Sequence, residues 1–299
     1  DITSMEELRQ AAEAHRIREL EGLGKTIEQK ILDDLQERDQ QETRTQLNVA
    51  EERVAPLVEY LKATEGIDRV AVAGSYRRRK ETVGDLDILT TGSDGERIID
   101  HFVDYEDVET ILSQGETRSS VELRSGLQVD LRVVASESYG AALLYFTGSK
   151  AHNIALRNMA LDQDMKINEY GVYRDEERIA GETEEEIYAL FDLPVIEPEL
   201  RENRGEIEAA QEGALPALIN LEDIRGDLQM HTQASDGHDT LQAMAQAARD
   251  RGYAYIAITD HSARVAVTPG LDAESLSRRT DEIDQLNEEI EDLRILKGI

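Results

Sequence analysis

Two aspartates, Asp85 and Asp87, close a stretch that opens on a glycine-serine turn and runs through three arginines, residues 74–87 (GSYRRRKETVGDLD). On a strand, residues two apart point to one face, so both carboxylates face the same way. Such a pair suits a hard divalent cation, which prefers oxygen ligands. Asp130 stands on another predicted strand, in Val129-Asp130-Leu131-Arg132, and can complete a three-carboxylate cluster. The chemistry this serves is phosphoryl transfer to a hydroxyl. Two ions about 3.5–4 Å apart neutralise a triphosphate and lower the pKa of the attacking hydroxyl. Gly74 lets the backbone approach phosphates closely, and N–H groups together with the Ser75 hydroxyl can bind them. Arg78 can offer a two-pronged contact to a phosphate. A charged surface turn would account for a lone Asp-x-Asp. It does not account for glycine-serine, the arginines, Gly84-Asp85-x-Asp87 and a later strand aspartate in that order.

These side chains need elements to hold them. Residues 1–40 read as short helices, with Ser4 and Glu7 as a capping box and a tight turn at residues 20–25 (LEGLGK). Residues 46–63 form an amphipathic helix with Leu47, Val54, Leu57, Val58 and Leu61 on its apolar face. Strands are predicted at 70–73, 86–89 and 129–134, a helix at 138–163 and a short helix at 183–191. Pro194, Pro198 and the charged residues 197–208 read as a linker. Beyond it, strands at 227–231, 255–259 and 294–299 alternate with helices at 239–251 and 272–292. That alternation means a parallel α/β unit, and by itself it also fits a Rossmann-like one.

The 299 residues carry 64 acidic and 33 basic side chains, a formal charge of −31. Only seven of the basic residues are lysine, and the acids are spread along the whole chain. Net charge alone describes a protein repelled by nucleic acid. A chain built for high salt, where screening acts within about 3 Å, fits the even spread and scarce lysine better. Local arginine clusters then say more about partners than the total does. Without cysteine, disulfides and thiolate metal sites are excluded. No apolar run spans a bilayer and no signal-peptide pattern opens the chain, so a cytoplasmic protein with no membrane partner is expected. Both ends read as cut.

The stretch around Asp85 and Asp87 resembles the palm of the family X DNA polymerases, the group of DNA polymerase beta. Residues 145–153 (YFTGSKAHN) are similar to the family's nucleotide-binding thumb motif. Arg157 follows at the expected offset, and residues 167–173 (INEYGVY) resemble the next thumb strand. The resemblance covers roughly residues 1–195. It implies that Asp85, Asp87 and Asp130 hold two Mg2+ (or Mn2+) ions, with Asp130 also helping to activate a primer 3′-hydroxyl. It implies that Gly74, Ser75, Arg78 and Gly84 contact the triphosphate, with Arg44 a further candidate. Tyr145, Phe146 and Gly148 would pack on the nucleotide sugar and Lys150 on its base. Asn153 would read the minor groove and Arg157 the template strand, while Arg132 and Glu169 would switch between open and closed forms. The turn carrying Gly22, Gly24 and Lys25 resembles a helix-hairpin-helix, whose backbone N–H groups bind DNA phosphates without reading bases.

Residues 227–232 (DLQMHT) and Ser235-Asp236-Gly237 resemble the first motif of the polymerase-and-histidinol-phosphatase (PHP) domain, and Thr259-Asp260-His261 its second. That resemblance implies a phosphoesterase site in which His231, Asp236 and His261 hold Mn2+ or Zn2+. Asp260 would orient His261, with His238 as a further candidate. Gln229 stands where the motif often has histidine, and the next motif of the family, with its glutamate ligand, is not reached. Nuclease activity is therefore not expected of this chain, nor is a lyase activity, and residues 223–299 are expected to be either poorly packed alone or a fragment of a longer protein.

The expected fold is a multidomain α/β protein. It has helical helix-hairpin-helix fingers over 1–45, a nucleotidyltransferase palm with a mixed sheet over 46–137 and a thumb over 138–195. A linker over 196–222 then leads to the start of a PHP-type α/β barrel over 223–299. The expected function is gap-filling, template-directed DNA synthesis in repair, with gapped or primed DNA and dNTPs as partners of a monomer. A template-independent nucleotidyltransferase and a non-catalytic DNA-end-binding fragment are the alternatives.

Overall fold

The computed structural model describes residues 5–19, 23–32, 44–265 and 268–299. The chain divides after Leu215 into two compact units.

The first unit opens with helix α1 (Met5–Glu13) and helix α2 (residues 25–32). Ala11, Ala12 and Ile17 are buried against Leu8, Leu23, Ile31 and Leu32. Glu28 ties the pair together: it accepts from the Arg18 backbone N–H at 3.0 Å and from Arg18 Nε at 2.6 Å, and lies 3.1 Å from His15 Nδ1. Of the expected turn at residues 20–25, residues 20–22, with Gly22, lie outside the described residues.

A short strand β1 (Thr45–Gln46) leads into α3 (Leu47–Lys62). Then follow β2 (Ile67–Val72), α4 (Gly74–Arg77), β3 (Thr82–Val83), β4 (Asp85–Gly92), α5 (Gly95–Val103), β5 (Val108–Gln114), β6 (Arg118–Leu123) and β7 (Gln128–Val134). Five of these strands form one mixed sheet in the order β2-β4-β7-β6-β5, with β4 and β7 parallel and the other pairs antiparallel. Ala50, Val54, Leu57 and Leu61 make the buried stripe of α3, at the spacing a helix needs to face one way. They share a core with Ile98, Ile99 and Phe102 of α5 and with Leu86, Ile88, Val129 and Leu131 of the sheet. Burying each such side chain contributes roughly 1.5–3 kcal/mol. Period-2 alternation turns Asp85, Asp87 and Asp130 to the opposite face, where Leu89 packs with Ala73 and Ala142.

The helix expected over 138–163 is two helices, α6 (Tyr139–Thr147) and α7 (Lys150–Leu161). Gly148 breaks it at φ +69°, a conformation that favours glycine. Ser149 then caps α7, its hydroxyl accepting from the His152 N–H at 3.3 Å. A three-stranded antiparallel sheet follows, of β8 (Met165–Asn168), β9 (Gly171–Arg174) and β10 (Glu177–Ala180), and then α8 (Glu184–Ala189). The expected linker over 196–222 needs correcting at its start. A 3-10 turn (Pro198–Leu200) and α9 (Glu206–Gln211) belong to the packed unit, with Arg201 wholly buried and Ile207 and Ala210 in the same core as Leu156, Ile187 and Tyr188. Two of the charged residues that suggested a solvated linker are paired inside, while Glu197, Glu199, Arg204 and Glu208 are exposed. Arg201 bonds Glu184, and Glu206 lies 2.7 Å from His152 Nδ1.

The second unit is a three-stranded parallel sheet, β11 (Gly226–Met230), β12 (Tyr255–Ile258) and β13 (Arg294–Lys297), with α10 (Leu241–Asp250) and α11 (Ala273–Glu289) as the crossovers. One face is well packed: Leu241, Ala245, Ala248, Ile283 and Leu286 of the helices cover Ile256, Ile258 and Ile295. This core corrects the expectation of poor packing for that face. Leu228 and Leu296 stay exposed. Among the described residues, no helix is long and apolar enough to cross a membrane.

Candidate active site

Register brings the three aspartates together. In the parallel β4–β7 pair, Asp87 lies beside Asp130, and in the β6–β7 pair Ser120 lies on the other side of Asp130. Ser120 Oγ donates to Asp130 Oδ1, and Gln128 Nε2 reaches the same oxygen at 3.4 Å. Burial and the repulsion of Asp85 and Asp130 push the Asp87 carboxyl up to about 6, with Arg132 and Arg118 opposing. Asp85 is raised by burial and by Asp130, against the pull of Arg44. Like charges gathered at a sheet end destabilise one another unless a cation or a proton joins them. The carboxylate oxygens do not make a group all within 4.8 Å of one another, as a single-ion site would; among the described residues only His231, Asp236 and His261 do so.

The turn above the aspartates is fixed by packing. Gly74 adopts φ +62°, and a Cβ there would lie 2.9 Å from Asp87 Oδ2. Any side chain would therefore meet strained backbone and a carboxylate at once. The Ala73 N–H donates to the Asp87 carbonyl at 2.7 Å, which locks the turn to β4.

These groups open on a cleft of about 570 Å³. Gly74, Ser75, Arg78, Asp85 and Asp87 line it together with Tyr145, Phe146, Gly148, Lys150, Asn153 and Arg157. The Tyr145 and Phe146 rings meet edge-on, 5.0 Å apart. Arg157 sits 5.2 Å over Tyr145, and Asn153 Nδ2 donates to the Tyr145 carbonyl at 2.7 Å. Arg132 stacks 4.3 Å over Phe146, and its Nε is buried without a partner. Among the described lining residues, Arg44, Arg78, Lys80, Lys150 and Arg157 outnumber Asp85 and Asp87. The cleft thus keeps basic side chains although the whole chain is strongly acidic.

In the second unit, Asp236 stands between two imidazoles. His231 Nδ1 lies 2.9 Å from Asp236 Oδ1, and His261 Nε2 lies 3.2 Å from Oδ2. Burial is the largest single influence on the Asp236 pKa and raises it, but the His231 hydrogen bond and the charges of His261 and His231 together outweigh it and hold it low. Asp260 does not take the expected place beside His261. It is buried and accepts from the Thr232 N–H at 2.7 Å, from Ser235 Oγ at 2.8 Å and from Arg279 Nη2 at 3.0 Å, so it braces the loop instead. His238 is exposed, and Gln229 lies on β11 outside the three-ligand group.

The DNA polymerase beta palm matches residues 43–132 of this chain, the DNA polymerase beta thumb residues 142–202 and the PHP domain residues 227–297. The chain belongs to family X, the DNA polymerase beta family. It is 39% identical over 305 residues to the DNA polymerase/3'-5' exonuclease PolX of Bacillus subtilis (strain 168), a match covering 100% of this chain and 53% of that protein. DNA polymerase lambda of Rattus norvegicus is 29% identical over 159 residues, 43% of this chain and 28% of that protein. The chain thus spans about half the length of the Bacillus relative. It also resembles the crystal structure of Leishmania infantum polymerase beta in a ternary P/T complex, with a TM-score of 0.49 and 20% identity over 67% of this chain and 89% of that one.

Within the family X frame, most expected positions meet at one cleft. Gly84 is adjacent, with Arg44 Nη1 3.2 Å from where its Cβ would stand; Asp130 is buried beside Asp87 on β7 and is not among the lining residues. Gly24 and Lys25 stand at the start of α2, where a Cβ on Gly24 would meet nothing within 4 Å. Glu169 lies in the turn between β8 and β9. Sequence reasoning missed Lys80, Thr147 and Ile154 in the lining and Ser120 under Asp130. Lys80 carried a signal, as the last of four consecutive basic residues. Ser120 carried none, because its strand was not recognised.

Proposed function

We propose that this chain is a template-directed DNA polymerase that joins a dNTP to a primer 3′-hydroxyl in gapped or primed DNA. The observation that carries the reading is the register pairing of Asp87 with Asp130 beneath a turn of Gly74 and Ser75, facing Tyr145 and Phe146 across one cleft. Residues 1–45 act as fingers, 46–137 as palm and 138–195, extended by the packed residues to 211, as thumb.

Asp85, Asp87 and Asp130 would hold magnesium or manganese, and their mutual repulsion is the feature that such cations relieve. Bound there, the ions would supply charge neutralisation at the triphosphate and a more acidic primer hydroxyl. The protein's own groups do the rest. Ser75 and the N–H groups of its turn donate to phosphate oxygens, and Arg78 adds charge. Tyr145 and Phe146 take the sugar, Lys150 the base and Asn153 a minor-groove acceptor. Arg157 contacts the template strand. The primer oxygen attacks the α-phosphorus, its proton passes to Asp130, and pyrophosphate leaves. Gly22, Gly24 and Lys25 bind DNA phosphates. The chain acts as a monomer.

In the second unit, His231, Asp236 and His261 would hold manganese or zinc, since two imidazoles and a carboxylate are ligands both ions accept. Asp236→Asn is expected to weaken zinc binding by at least about tenfold, because it removes a charged ligand that also orients both rings. Calorimetric titration with zinc checks this; equal affinities would remove Asp236 from the ligand set.

Extension of a primer across a one-nucleotide gap, with magnesium and each dNTP in turn, tests the polymerase reading. Incorporation should follow the templating base. Equal incorporation of all four would point to template-independent transfer.

A further inference from the structure

Two consecutive residues, Arg201 and Glu202, reach two consecutive arginines of the phosphate turn. Arg201 Nη1 donates to Glu184, which also accepts from Arg77 Nη1 at 2.9 Å and Nη2 at 2.7 Å. Glu202 Oε1 accepts from Arg78 Nε at 2.9 Å and lies 3.4 Å from Lys80 Nζ. One carboxylate oxygen therefore sits between two cations. Among the described residues, Arg78 and Lys80 line the cleft and Glu202 does not. Glu202 touches Arg78 at Nε, on the stem side of the guanidinium, while Arg78 Nη1 donates to the Thr147 carbonyl.

The backbone that carries Glu202 is held firmly. Arg201 is wholly buried, its Nε donates to the Ile196 carbonyl at 2.8 Å, and its own carbonyl accepts from the Ser149 N–H at 3.0 Å. Burial alone would raise the Glu202 pKa, but Arg78 and Lys80 outweigh it and hold it below the usual range. The carboxylate is thus charged at neutral pH.

We propose that Glu202 is a positioning residue for nucleotide binding, holding Arg78 and Lys80 side by side at the cleft wall where the triphosphate arrives. The inference rests on the polymerase reading. Arg78 and Lys80 repel each other, and the long side chains lose rotamer freedom when fixed. Without the carboxylate Lys80 loses its anchor and Arg78 keeps only the Thr147 carbonyl, and the cost of ordering them falls on nucleotide binding. A carboxylate that masked the phosphate site would stand in the cleft lining; this one braces it from outside.

The test uses the whole 299-residue chain with Glu202→Ala, and with Glu202→Gln as a variant of nearly unchanged shape. dTTP is titrated against a one-nucleotide gap with a templating adenine. KM for dTTP is expected to rise about tenfold in Glu202→Ala and less in Glu202→Gln, while kcat changes by no more than about twofold. A purely structural role would lower kcat through loss of folded protein and leave KM unmoved; circular dichroism checks folding. An unchanged KM in both variants overturns the proposal. So does a lower KM, which would make Glu202 a competitor for the phosphate site. Should the wild type extend no primer, the polymerase reading fails by itself. Calorimetric binding of inorganic tripolyphosphate, which needs no turnover, then decides: weaker binding by the variants supports the positioning role, and equal or tighter binding overturns it.

Discussion

Asp87→Asn is expected to slow nucleotide incorporation by about a thousandfold or more while the chain still binds DNA. Asp87 shares the register level of Asp130 and supports the Gly74 turn, so its carboxylate touches both halves of the proposed chemistry. Asparagine keeps the shape and removes the charge. The same substitution should stabilise the metal-free chain at neutral pH. The folded-state pKa of about 6 lies above the ordinary aspartate value of 3.8. A raised carboxyl binds its proton more tightly in the folded state than in the unfolded one. Its contribution is therefore fully present below about pH 4 and is lost as pH rises through about 6. Above that, ionised Asp87 costs the metal-free fold on the order of 3 kcal/mol. Urea unfolding without divalent ions should show Asp87→Asn above the wild type at pH 7.5 and level with it near pH 4. Incorporation within about tenfold of wild type would remove Asp87 from the site.

Glu184→Ala should destabilise the first unit by about 3–5 kcal/mol, since it leaves a buried cation without its partner. Arg201 is 0% exposed and Glu184 7%. Glu184 also takes both terminal nitrogens of Arg77, so one carboxylate serves two guanidinium groups. Arg201 lies 5.4 Å over Tyr188, whose hydroxyl is 2.9 Å from His152 Nε2; its Nη2 is already buried without a partner. Arg201 then keeps the Ile196 carbonyl and Arg77 the Thr147 hydroxyl, neither of which carries the lost charge. Burial would raise the Glu184 pKa, but its bonds to Arg77 and Arg201 outweigh this and lower it. The stabilisation is then present above the ordinary glutamate value and lost as pH falls through the lowered one. Wild type and Glu184→Ala should converge toward acid pH. Urea denaturation followed by circular dichroism measures the difference, and a loss below about 1 kcal/mol at pH 7.5 would contradict the buried-pair account.

The candidate active site is written in short-range patterns. Asp85 and Asp87 declare their shared face through period 2, and Val129-Asp130-Leu131-Arg132 alternates in the same way. Strand pairing alone brings Asp130 to Asp87, and the motif order anticipated it. The packed segment after residue 196 was less legible. Arg201, Glu202 and Glu206 look solvated in sequence because charge normally is, and only their partners Glu184, Arg78 and His152, distant along the chain, make burial tolerable. Residues 90–128 carried weak signals for a different reason. Strand β5 lies at the sheet edge and is exposed along most of its length, which erases the alternation that identifies a strand. With β5 and β6 went Ser120, whose hydroxyl holds Asp130. In the second unit, the resemblance named His231, Asp236 and His261, and one ligand atom of each lies within 4.8 Å of the others. Asp260 was misassigned because its neighbour in sequence, His261, is not its partner in space; Thr232, Ser235 and Arg279 are.

The central claim is that this cleft adds the nucleotide specified by a template. Single-turnover extension of a primer facing a one-nucleotide gap, with magnesium, four templates and all four dNTPs tested singly, measures it directly. The account predicts one added nucleotide, complementary to each templating base, in the wild type and none in Asp130→Ala. Extension that ignores the template, or that survives in Asp130→Ala, would contradict it.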